Sequence, residues 1–172
     1  MPVPPAFACR ILADVCSGLS AAHRGGSSLV HRDVSPSTIL LGIDGIARLA
    51  DLGVARAIDA LPQVQPGMLR GSTAYMAPEQ LGGNATTVDA RADLFAAGAV
   101  LWECVTGESL FQRASAAETT AAVLHHPIPL LSSVRPDAMP EIVEILRTAL
   151  ERDRVRRYPV VSALLAALEK VV

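Results

Sequence analysis

The sequence predicts a mainly α domain carrying one small β-hairpin, and three observations lead there. Ala, Leu and Val dominate the apolar residues, with only three Phe, two Tyr and one Trp beside them, and Ala and Leu are strong helix formers. Apolar positions recur at helical spacing in several segments that Pro or Gly bounds. Two short apolar runs flank Asp44-Gly45, the pattern of a tight hairpin.

Element by element, Pro4-Pro5 followed by Phe7, Ile11, Leu12, Val15 and Leu19 opens an amphipathic helix that Gly25-Gly26 should stop. A loop with His31-Arg32-Asp33 comes next, then the hairpin, from Ile39-Leu40-Leu41 through the turn to Ile46–Leu49. Residues 54–76 hold Pro62, Pro66, Gly67 and Gly71 with little periodicity and read as an extended loop. From Asp89 to Thr106 the chain is apolar on nearly every side, so this helix should be central, with Gly107 ending it. Ser115-x-x-Glu118 is a capping box for a helix to about His125. A Pro-rich connector over 127–140 precedes a helix from Pro140 to Glu151 and a last one from Pro159 to about Val171.

At 172 residues with 51% hydrophobic and 19% charged residues, the chain should pack as one domain over 1–172. A net charge of −2 gives no electrostatic reason to expect nucleic acid or an anionic membrane. No signal peptide or membrane span is expected: Arg10 and Asp14 interrupt the first apolar stretch, and the longest uncharged apolar run, Leu94–Trp102, is about half a span. Cys9, Cys16 and Cys104 lack metal spacing and read as small buried residues in a reducing, cytoplasmic compartment. Arg152, Arg154 and Arg156 read as solvated, and His125-His126 as a fraying helix end.

Val30-His31-Arg32-Asp33-Val34-Ser35-Pro36-Ser37-Thr38 is followed thirteen residues later by Asp51-Leu52-Gly53, and then by Tyr75-Met76-Ala77-Pro78-Glu79. In this order, over roughly residues 6 to 170, the chain resembles the helical large lobe of a eukaryotic-type protein kinase, closest to the bacterial serine/threonine kinases. That resemblance implies transfer of the γ-phosphate of ATP to a protein substrate with Mg²⁺. It implies Asp33 as acceptor of the substrate hydroxyl proton, Asp51 as Mg²⁺ ligand and Leu40 as the apolar floor beneath adenine. Gly53 lets the backbone turn past the metal. His31 and Arg32 support the loop. Asp93 is expected to accept backbone N–H bonds from the catalytic loop, and Glu79 to form a buried ion pair with Arg157. Ser72 aligns with a substrate-loop hydroxyl that contacts the catalytic Asp.

The chain also departs from the family pattern. Ser35 stands where most of these kinases place a Lys that contacts the γ-phosphate, and Thr38 replaces the Asn that binds a second Mg²⁺, although a Thr hydroxyl can ligate Mg²⁺. Leu52 replaces Phe, apolar for apolar. No Gly-x-Gly-x-x-Gly is present and the one lysine is Lys170, so the small lobe that clamps the nucleotide is missing from this sequence. Two functions follow. One is a partial serine/threonine kinase domain, inactive or very weak alone, whose small lobe is encoded upstream or separately. The other is a pseudokinase or truncated scaffold that binds partners. Without the small lobe, apolar residues near the hairpin and first helix should lie exposed. No Ser, Thr or Tyr falls between Gly53 and Gly71, so the segment after Asp51 is expected not to be switched by phosphorylation at the usual site.

Overall fold

The computed structural model describes residues 1–24, 29–52, 73–82 and 88–172. In chain order the helices are α1 (Pro5–Arg24), α2 (Pro78–Leu81), α3 (Arg91–Thr106), α4 (Ala116–His125), α5 (Leu131–Val134), α6 (Pro140–Ala149) and α7 (Val161–Leu168). Strands β1 (Ile39–Leu41) and β2 (Ala47–Leu49) form the two-stranded antiparallel sheet, with Leu40 opposite Arg48. The mainly helical fold with one hairpin is therefore the observed one. The expected stop at Gly25-Gly26 and the segment 54–72 lie outside the described residues.

Helix α3 is the axis of the molecule. Twelve of its sixteen residues are buried, which a helix apolar all round requires. Gly107 ends it at φ 80, a left-handed conformation open to glycine, and its N–H closes the last turn on Glu103 O at 2.7 Å. Gly98 lets α6 approach: a Cβ there would sit 3.0 Å from Ala149 Cβ. Phe95 stacks on Phe111 with ring centroids 5.7 Å apart.

Helix α1 packs on α3, α7 and β2. Its buried face is Ala8, Cys9, Leu12, Ala13, Val15, Cys16, Leu19 and Ser20. Phe7, assigned to the apolar face from the sequence, is instead 53% exposed, while the neighbouring Ala8 and Cys9 are buried. Asp14 reaches across to accept the Ala47 N–H at 3.0 Å, fixing the hairpin to this helix.

Other expectations shift in detail. Thr73–Tyr75 forms a 3-10 turn at the end of the stretch read as an extended loop. The 127–140 connector contains α5, and α2 went unpredicted because four residues carry no periodicity. Ser115 does cap α4, its Oγ accepting the Glu118 N–H at 3.2 Å. Arg152 is half-buried rather than solvated: its guanidinium donates to Val123 O at 2.7 Å and to His126 O at the end of α4, and adds a second bond at 3.1 Å to Ala122 O, which also accepts the His126 N–H. Arg154 pairs with Asp89 at 3.4 Å. No helix among the described residues is long and apolar enough to cross a membrane.

Candidate active site

The loop from His31 to Thr38 joins α1 to β1, and its shape is set from below by Asp93. This residue lies in the first turn of α3 with no exposed surface. Its Oδ2 accepts the His31 backbone N–H at 2.9 Å and its Oδ1 that of Arg32 at 2.8 Å. His23, at the end of α1, donates its Nε2–H to Oδ2 at 2.8 Å. A carboxylate so deeply buried is tolerable only with such donors, each charge-assisted bond contributing about 1.5–3 kcal/mol. Arg32 is held at φ 66, a conformation that costs a non-glycine residue about 1–3 kcal/mol. Asp93 thus accepts backbone N–H bonds from the His31–Arg32 loop; His23 gave no motif in the sequence.

His31 connects the loop to the second acidic motif. Its Nε2 faces Ala50 O at 2.8 Å, while its Nδ1 faces the Asp33 N–H at 3.3 Å. The carbonyl needs a donor and the N–H an acceptor, so the Nε2–H tautomer is the one these partners select. Ala50 immediately precedes Asp51, which is exposed and stands at φ 64. Asp33 and Asp51 thus lie near enough for the charge of one to act on the carboxyl of the other. Burial pushes the Asp33 carboxyl above its ordinary value, and the Asp51 charge pushes the same way.

Thr38 is buried and its hydroxyl works inside the loop. Its Oγ1 accepts the Ser35 N–H at 3.1 Å and donates toward Asp33 O at 3.0 Å and Ser35 O at 3.1 Å. Ser35 is also buried, and its Oγ meets Ser37 Oγ at 2.8 Å. Neither hydroxyl faces outward as Asp51 does. Among the described residues no group of three or more His, Cys, Asp or Glu could cage a metal. An exposed carboxylate is the kind of oxygen ligand that Mg²⁺ takes, commonly one or two of them beside phosphate oxygens. Ser72 and Gly53 lie outside the described residues.

Glu79 in α2 and Arg157 form the expected pair, bidentate at 2.7 Å for both bonds. Arg157 spends its other donors on Glu151 O, Arg91 O and Arg152 O, and its guanidinium carbon lies 5.0 Å from the Phe95 ring centroid. All five N–H groups therefore have an acceptor. Tyr75 donates to Glu103 of α3, tying the turn before α2 to the core.

A helical fold that sets a half-buried loop carboxylate near an exposed Asp-Leu-Gly aspartate has a counterpart among known families. The family model described as "Protein kinase domain" matches residues 2–167. The chain belongs to this family. It is 37% identical to the serine/threonine-protein kinase PknL of Mycobacterium tuberculosis over 99% of its own length and 42% of the relative's. It is 36% identical to the tyrosine-protein kinase MasK of Myxococcus xanthus, over 97% of the chain and 26% of the relative. The serine/threonine-protein kinase PknD of M. tuberculosis is 35% identical over 91% of the chain and 23% of the relative. The chain thus spans less than half the length of these curated relatives. Membership extends the bacterial kinase resemblance from motifs to nearly every residue.

Proposed function

We propose that this chain supplies the catalytic half of a serine/threonine protein kinase that uses ATP and Mg²⁺ in the cytoplasm. The observation that carries the proposal is the nearness of Asp33 and Asp51, joined through the His31–Ala50 hydrogen bond. Asp33 accepts the proton of the substrate hydroxyl as its oxygen bonds to the γ-phosphorus and the bridging P–O bond breaks, ADP leaving with the electron pair. Mg²⁺, when bound, neutralises charge on the phosphates, and Asp51 is the residue that would hold it. Thr38 and Ser35 act within the loop, keeping the Asp33 carbonyl and the turn before β1 in place. The hairpin offers Leu40 at 58% exposed, with Leu41, Ile43 and Ile46 also exposed. These side chains form the surface we assign to adenine and to a nucleotide-clamping small lobe, contributed by the same or a separate polypeptide.

A non-catalytic scaffold is the second reading, favoured by the commitment of the Thr38 hydroxyl to the loop. Thermal unfolding with and without Mg-ATP separates the two. Binding to the folded state raises the melting temperature by mass action, and Asp51→Asn is expected to abolish the rise. Incubation with radiolabelled ATP, a protein substrate and the small lobe should yield phosphoserine and phosphothreonine, lost in Asp33→Asn. No thermal shift and no label under both conditions would leave the scaffold; label on tyrosine alone would overturn the serine/threonine assignment.

A further inference from the structure

Gln80, in α2, reaches out of its own turn to the catalytic loop. Its Nε2 donates to Arg32 O at 2.8 Å, 48 residues away in sequence, while its Oε1 accepts the Ala77 N–H at 2.9 Å. The amide can stand only this way round. Flipping it would set Oε1 against the Arg32 carbonyl and Nε2 against the Ala77 N–H, two repulsive contacts in place of two bonds.

The carbonyl that Gln80 holds belongs to the peptide group whose N–H is that of Asp33. On its other side, Arg32 is held by Asp93 Oδ1 at 2.8 Å. The left-handed Arg32, φ 66, is therefore clamped at both of its peptide groups, which is what a residue in that region needs to stay there. The next peptide plane sets where the Asp33 side chain projects. Glu79, the neighbour of Gln80, is bound by Arg157 to the C-terminal half of the chain. Adjacent side chains of one short turn thus hold the core and the catalytic loop.

We propose that Gln80 is a positioning residue, which fixes the Arg32–Asp33 peptide plane and couples the aim of Asp33 to the turn that follows Ala77. Its importance for phosphoryl transfer rests on Asp33 being the proton acceptor; the tether itself does not. Backbone amide exchange followed residue by residue by NMR tests it. Gln80→Glu keeps an acceptor for Ala77 but loses the donor to Arg32 O, whereas the uncharged Gln80→Met loses both. Loss of one such bond should speed Asp33 amide exchange about three- to tenfold in both variants. The Ala77 amide should speed up only in Gln80→Met, and the amides of α3 should exchange as before. Asp33 exchange at the parent rate in both variants would reduce Gln80 to a local helix cap and overturn the proposal. An equal acceleration throughout α3 would also overturn it, as general destabilisation. Should the Gln80→Glu carboxylate unfold α2, Gln80→Met carries the Asp33 comparison alone. Because no nucleotide is used, accelerated Asp33 exchange would leave the tether standing even if phosphoryl transfer with the small lobe present survived Asp33→Asn, the result that removes the base assignment.

Discussion

Replacing Glu79 by Ala should be among the most damaging single changes in this domain. Arg157 has a fully buried side chain, and the substitution removes the acceptors of two of its five N–H groups at once. The three remaining bonds go to backbone carbonyls, and the Phe95 face offers only its quadrupole at 5.0 Å. A cation left buried with its counter-ion gone typically costs about 3–5 kcal/mol. For a chain of this size that corresponds to a melting temperature lowered by roughly 6–20 °C. The exposed Glu144–Arg147 pair, equally short at 2.6 Å, provides the control. Both of its side chains are more than half exposed, so Glu144→Ala should leave stability nearly unchanged. Urea unfolding reports both, followed by the fluorescence of the one tryptophan, buried Trp102. The double replacement Glu79→Ala/Arg157→Met, which removes the orphaned charge, should recover part of the loss. If Glu79→Ala costs no more than Glu144→Ala, the pair is not the buried anchor described here.

Two further outcomes follow from local chemistry. Burial pushes the Cys16 thiol up to about 12, and burial followed by the Cys104 charge pushes Cys9 up to about 11. At pH 8 no more than about one molecule in a thousand would carry either thiolate, the nucleophilic form. Iodoacetamide should therefore spare Cys9 and Cys16 in the folded protein and label them in denaturant; labelling of Cys16 at the denatured rate would refute their burial. On the hairpin, the Arg48 hydrogen bond, then the Ile46 N–H, holds Asp44 down at about 2. A depressed folded value means that the contact supports the hairpin above the ordinary Asp range and is lost as pH falls through about 2. Carboxyl NMR should find Asp44 raised towards the ordinary range in Arg48→Ala, with the Ile46 N–H still holding it partly down; an unchanged titration would show that the pair does not form.

The motif order His31-Arg32-Asp33, Asp51-Leu52-Gly53 and Ala77-Pro78-Glu79, the hairpin and the central helix were all legible in the chain. Those features depend on residue type and short spacing: an apolar run with no polar face has to be central, and Asp44-Gly45 between apolar runs has to turn. The role of Asp93 was legible for a related reason, since a carboxylate in so apolar a segment must find donors. Only the folded chain named those donors. His23 lies 70 residues before Asp93, and Gln80 lies 48 after Arg32. Pairs so far apart leave no periodic trace, and a lone His or Gln has too many possible partners for composition to choose among them. The folded chain also turned Arg152 inward onto the end of α4 and the Thr38 hydroxyl inward onto its own loop. A polar group's partner is set by which open carbonyl or N–H packing brings within 3 Å, and packing is a property of the whole fold.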